Sequence, residues 1–159
     1  MALAQVAWAA DGKSATRPDP ADCAGFSAQD AASFLGTPAA QVTRRVQKVH
    51  ATLFACSYAI GNAAPVVAFS IAVAANAKQA TEEMERYRRH LETAGETAQW
   101  KGKLPKGAYS DIMGPGDEGV WTEITGAYTM RKGHITVQIT APKAKLEQVK
   151  LGGILAKKL

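Results

Sequence analysis

The period of the apolar positions changes several times along this chain, and each change predicts an element. From Ser27 the period is helical, with Ala31, Phe34 and Leu35 on one stripe. Ser27 and Asp30 have capping-box spacing, Gly36 supplies a stop, and Pro38 blocks continuation. Residues 42–60 are too long for one ordinary strand, so they read as two strands or one strand bent near His50. Their second part alternates, placing Phe54, Cys56, Tyr58 and Ile60 on one face. A turn through Gly61, Asn62 and Pro65 leads to residues 66–74, where Val67, Phe69, Ile71 and Val73 share a face. The two runs make a hairpin.

Residues 78–94 return to a helical period, with Ala80, Met84, Tyr87, Leu91 and Ala94 as the stripe. Glu82–Arg86 and Glu85–Arg89 are i,i+4 pairs in the favourable order, and Gly95 ends the helix. Arg86, Arg88 and Arg89 read as a solvated face balanced by Glu82, Glu83 and Glu85. Residues 96–119 carry Gly, Pro and Lys without a clear period, with 100–104 as a candidate short strand. A turn-rich loop, Gly114-Pro115-Gly116-Asp117-Glu118-Gly119, feeds a strand over 120–124. Residues 128–131 and 134–140 form a second hairpin about Lys132-Gly133, with Ile135, Val137 and Ile139 on one face. After Pro142, the positions of Leu146, Val149, Leu155 and Leu159 predict a terminal amphipathic helix, weakened at Gly152-Gly153. The order helix, hairpin, helix, hairpin, helix predicts an α+β fold. Its antiparallel sheet would come from two hairpin units, with the helices packed on one face.

The ends of the pattern bear on compartment. Residues 2–10 are apolar apart from Gln5 and close on Ala7-Trp8-Ala9, a small-x-small site. Residues 1–10 therefore read as a signal-peptide remnant without its charged start, 11–22 as a disordered Pro-rich leader, and 23–159 as one α+β domain. Pro20-Ala21-Asp22 before Cys23 is not a lipobox, so no lipid anchor is expected. No run of 18 apolar residues suggests a membrane span. The two cysteines, Cys23 before the first helix and Cys56 within a strand, suggest one structural disulfide in an exported protein. A chain of 159 residues buries roughly 70% of its unfolded surface, so the bridge would add stability rather than make folding possible.

Candidate chemistry is sparse. In the 114–119 loop, Gly114 and Gly116 could let backbone N–H groups approach a ligand while Asp117 and Glu118 hold a cation. The loop lacks the following Lys-Ser/Thr of a phosphate-binding loop, and a tight entry into the Trp121 strand explains it as well. His50, His90 and His134 lie on separate elements and have no metal-ligand spacing, so no metal or cofactor is expected. The cysteines are not Cys-x-x-Cys, and there is no Gly-x-Ser-x-Gly elbow. Trp100, Trp121 and Tyr128 read as core or hairpin packing. The formal charge of +5 points mildly to acidic partners.

Cys23, Leu35-Gly36, Cys56-Ser57-Tyr58, the 114–119 loop with Val120-Trp121, and Lys132-Gly133 occur here in a fixed order. That order resembles a group of secreted bacterial domains of unknown function, many of them lipoproteins. In that group a Cys precedes a short helix ending in Leu-Gly. Cys-x-Tyr then lies on a strand, and a long helix leads to Gly-x-Gly-Asp-Glu-Ala-Val-Trp, a Lys-Gly hairpin and a C-terminal helix. The resemblance covers residues 23–159 and implies a fold and a compartment, periplasmic or secreted, but no activity. Gly119 stands where the group has Ala and suggests a looser loop.

Three functions follow as expectations. The first is a non-enzymatic binding or accessory protein, monomeric or weakly oligomeric, with an envelope protein or component as partner and nucleic acid disfavoured. The second is an enzyme whose site assembles from Asp111, Asp117, Glu118 and His134. The third is a polyanion-binding module using Arg44, Arg45, Lys48, Lys101, Lys103 and Lys106.

Overall fold

The computed structural model describes residues 19–97, 99 and 108–159. The expected signal remnant, most of the leader, the candidate strand at 100–104 and the lysines at 101, 103 and 106 lie outside these residues. A short 3-10 helix, Pro20–Gly25, carries Cys23 and leads to α1 (Ala28–Leu35). The capping box is present: the Ser27 side chain accepts from the Asp30 N–H at 3.1 Å, and Asp30 accepts from the Ser27 N–H at 2.7 Å. Gly36 ends the helix in the left-handed region (φ 65°), which a side-chain-bearing residue rarely adopts.

Strands β1 (Val42–His50), β2 (Leu53–Ile60) and β3 (Val67–Val73) precede α2 (Ala77–Gly95). Strands β4 (Tyr109–Asp111), β5 (Glu118–Thr122), β6 (Ala127–Lys132) and β7 (Ile135–Ala141) precede α3 (Lys145–Lys158). All seven form one antiparallel sheet in the order β1-β2-β3-β7-β6-β5-β4. The α+β class holds, but the units are a three-stranded meander and a four-stranded one rather than two hairpins. Residues 42–60 break at Ala51-Thr52 into two full strands. Strand β4 is three residues long, too short to leave a period in the sequence.

The register sorts side chains onto two faces. Cys56 pairs with Phe69, Phe69 with Ile139 and Ile139 with Tyr128, so these share the front face with Tyr58, Ile71, Val137 and Met130. The 3-10 helix, α1 and α3 pack there. Phe26, Tyr58 and Phe69 meet with ring centroids 5.2–6.1 Å apart, and the Tyr58 hydroxyl donates to the Phe26 carbonyl at 2.5 Å. The Cys23–Cys56 disulfide links the 3-10 helix to β2 inside this layer.

The helices do not all pack on one face. Met84 and Leu91 of α2 pack with Val120 on the back of the sheet. The physical reason lies in β5 and β6, whose residues are buried on both sides, so those strands need cover from both layers. The stripe of α3 is also rotated from the expected one. Leu146 is exposed, while Gln148, Leu151, Gly152, Leu155 and Ala156 are buried. Gly152 is what lets α3 lie close, because a Cβ there would stand 2.6 Å from Tyr128 Cε1. Gly119 approaches the other edge of the same ring, where a Cβ would meet Tyr128 Cε2 at 2.8 Å. Gly119 is thus a strand position with no room for a side chain, not the mark of a looser loop.

Candidate functional site

The back face has a closed half, where α2 lies over β5 and β6, and an open half formed by β1, β2 and β3. The closed half holds the acidic loop. Glu118 faces Arg131 across the β5–β6 register, and Arg131 Nε donates to Glu118 Oε1 at 2.5 Å. Arg88 of α2 reaches down to the same carboxylate, with Nη1 2.7 Å from Oε2. Its Nε and Nη2 both donate to Asp111 Oδ1, at 3.2 and 3.1 Å. Asp117 Oδ2 accepts from Arg131 Nη1 at 2.9 Å and from the Gly133 N–H at 2.7 Å. Gly116 permits the loop to close on β6. Its φ is +78°, and a Cβ there would run into the Arg131 carbonyl.

Three of the four residues expected of an assembled catalytic site, Asp111, Asp117 and Glu118, therefore do converge, bridged by Arg88 and Arg131. His134 follows Gly133 in the adjoining turn, where its carbonyl accepts from the Ala74 N–H. Burial, the largest single influence on Glu118, raises its pKa. The hydrogen bonds and charges of Arg131 and Arg88 together outweigh it and hold the carboxyl below its ordinary value. A carboxyl used as general acid near neutral pH needs the opposite shift. The corner is an ionic clamp between α2 and the sheet. A cavity of about 350 Å³ lies over it, lined by Asp111, Met113, Gly114 and Gly116 among others. Among the described residues no three His, Cys, Asp or Glu side chains form a metal-holding group.

Sequence reasoning missed both arginines. Arg88 was expected on a solvated helix face, but it faces the sheet and its side chain is 21% exposed. The expected Glu82–Arg86 and Glu85–Arg89 pairs are not among the ion pairs observed; Glu82 pairs instead with Lys78 at 4.0 Å. A usable signal was present. Residues 111–118 bring three acids to one strand entry, a concentration of like charge that cations from elsewhere must offset.

The expected basic patch is divided by strand geometry. Neighbours on a strand point to opposite faces. Arg44 points to the front, where it bonds Asp22 at 2.5 Å, whereas Arg45 points to the back. Lys48 lies on the front with Arg44. Arg45 has no ion-pair partner among the described residues.

Away from the α2 border, no helix among the described residues lies over the open half. Arg45, Gln47, Ser57, Ser70 and Thr140 line a shallow depression of about 370 Å³ there. Toward α2 it passes into a cleft that runs between the helix and β2–β3. Both cysteines are buried in the front layer and joined to each other. No helix among the described residues is long and apolar enough to cross a membrane. No protein-family model, curated protein or solved structure matches this chain.

Proposed function

We propose that this chain is an exported, non-enzymatic binding module of the bacterial envelope, working in the periplasm or as a secreted protein. The buried disulfide is compatible with that compartment, and so is the lack of a membrane-crossing helix among the described residues. The order of motifs shared with secreted bacterial domains supports it further.

The observation that carries the reading is a contrast in charge balance. The acids of the 111–118 corner are consumed by Arg88 and Arg131, while in the open half of the back face Arg45 has no ion-pair partner among the described residues. Strand β1 borders that half as a sheet edge nine residues long, with Val46 and Val49 exposed. Such an edge is a template for an added strand. Antiparallel self-pairing centred on Val46 would set Arg44 against Lys48, and like charges directly opposite destabilise a pair. The edge therefore suits an extended acidic segment of another protein better than a second copy.

The test places a photo-crosslinking residue at Gln47 or Ser57, and at Glu85 on the outer side of α2 as control, in the native host. The expected result is an adduct at the first two positions only, mapping to an acidic extended stretch of one envelope protein. Arg45→Glu with Lys48→Glu should abolish it, and reversing the partner's acids should restore it. Turnover that depends on Asp117 or Glu118 would overturn the reading in favour of an enzyme. Capture of polyanions with a steep salt dependence, and of no protein, would overturn it in favour of the charge-driven module.

A further inference from the structure

We infer that the cleft between α2 and the back of β2–β3 binds a small organic cation: an amine on a ring-sized apolar body with a second polar atom at its inner end. The inference rests on the reading of the chain as a binding module and names a ligand class for it.

The cleft has two adjoining parts. The inner one, about 310 Å³, is lined by Leu53, Ala72, Met84 and Tyr87, with Thr129 and Gln138 among its polar groups. The outer one, about 520 Å³, shares Leu53 and Ala72 and runs toward His50. Their sizes fall in the range of small-molecule sites, and mostly apolar walls with a few polar groups are the usual composition of such sites. Room exists because the back-facing positions of β3 are small, Ser70 and Ala72, where larger residues would fill the space under α2.

Two polar groups specify the ligand. The first is Thr129, only 4% exposed, which lines the inner part and whose buried Oγ1 meets no hydrogen-bond partner among the described residues. A buried hydroxyl without a partner weakens the fold, so a hydroxyl left in this state at a cleft wall points to a ligand atom that completes it. The second is Glu83, which lines both parts. One of its oxygens accepts from Gln79 Nε2 at 3.1 Å, and it forms no ion pair among the described residues. Among the described residues no lysine or arginine lines either part, although the chain as a whole is basic. Arg88, the nearest cation along the helix after Tyr87, is committed to Asp111 and Glu118. Among the described residues the only other titratable group at the cleft besides Tyr87 is His50, at its outer end. An anion would meet an uncompensated carboxylate there, whereas an ammonium would pair with it. Tyr87, one turn from Glu83, adds an aromatic ring suited to a cation or to a stacked ligand ring.

The probes are tyramine, phenethylamine and 3-phenylpropionate, titrated calorimetrically into the full chain with its disulfide intact. Tyramine should bind saturably. Phenethylamine, which lacks the phenolic oxygen, should bind about fivefold more weakly, and 3-phenylpropionate should not bind. Glu83→Gln should weaken both amines about tenfold. Thr129→Val should remove tyramine's advantage and leave phenethylamine unchanged. A thermal melt of each variant shows that the fold is retained. No saturable binding of either amine overturns the inference, as does equal binding of the carboxylate or an unchanged affinity in Glu83→Gln. If that happens while the β1 cross-link persists, the ligand class fails and the binding-module reading stands. Chemical conversion of the bound amine would overturn the module reading itself.

Discussion

The two faces of the sheet are closed by different means. The front is held by a covalent bridge, an aromatic cluster and a helix that reaches the sheet through a glycine. The back is closed over β5 and β6 by one helix and a set of ion pairs, and among the described residues it is left open over β1–β3 away from the α2 border. Packing and covalent closure fix geometry but leave nothing for a ligand. Charge closure and open surface contribute less stability per residue and keep polar groups available. The front should thus be where substitutions cost most, and the back where they change binding.

The largest effect should come from the front-layer bridge. Replacing Cys23 and Cys56 together by alanine frees a loop with a sequence separation of 33. The expected loss is about 3–4 kcal/mol on chain-entropy grounds, read as a lower urea midpoint. The next effect lies at Gln148, which is fully buried on α3. Its Oε1 accepts from the Tyr128 N–H at 2.7 Å, and its Nε2 donates to the carbonyls of Gly126 and Pro142 at 2.8 and 2.7 Å. Gln148→Leu leaves these groups buried and unpaired, for an expected loss of about 2–3 kcal/mol.

Gly152→Ala distinguishes packing from propensity. Alanine favours a helix interior by about 1 kcal/mol over glycine, so propensity alone predicts a gain. Crowding against Tyr128 predicts a loss of about 1–3 kcal/mol, and Gly119 on the opposite edge of the ring denies it room to shift. A lower melting temperature is the expected outcome. A higher one would show that α3 can move off the sheet.

These residues mark what the sequence could and could not convey. Periodicity located β2, β3, β7 and all three helices, because each has an apolar side or a cap with a local signature, as Ser27 and Asp30 show. It could not tell that α2 crosses to the back, since its stripe of Ala80, Met84 and Leu91 says only that one side is buried. It missed Gln148 because a polar residue between Leu146 and Val149 reads as the wet side of a helix until the sheet is present. The acidic corner was legible as a set of residues but not as a clamp. Arg88 and Arg131 lie 43 positions apart in the chain and meet only across the register. Arg44 and Arg45 were legible as charge, and strand alternation separated them.

The ionic half of the back face should show its character in acid. The Glu118 carboxyl titrates below its ordinary value of 4.5 in the folded chain. Its pairing therefore contributes stability above the unfolded pKa, and that contribution is lost as pH falls through the lower folded value. Glu118→Gln should cost about 1–2 kcal/mol at pH 7, moderated because Arg88 keeps Asp111 and Arg131 keeps Asp117. The difference between wild type and variant should shrink as pH drops below about 4. A gap that stays constant between pH 7 and 3 would mean that side-chain packing, not charge, joins α2 to the sheet.

The smallest effect should have the opposite sign. Thr122 and Thr129 both face the back, both are buried, and neither hydroxyl has a partner among the described residues. Replacing either with valine substitutes a methyl for an unsatisfied oxygen at nearly the same volume, so each variant should gain up to about 1 kcal/mol. The two positions differ in surroundings, because only Thr129 lines the cleft under α2. Thr122→Val should therefore raise the melting temperature and leave amine binding unchanged. Thr129→Val should raise it while erasing tyramine's advantage over phenethylamine. If the cleft under α2 is kept for a ligand, stability and binding will change together, in opposite senses, at Thr129, and stability alone will change at Thr122. If Thr129→Val lowers stability instead, its hydroxyl is satisfied within the fold, and the cleft loses the group that selects its ligand's inner end.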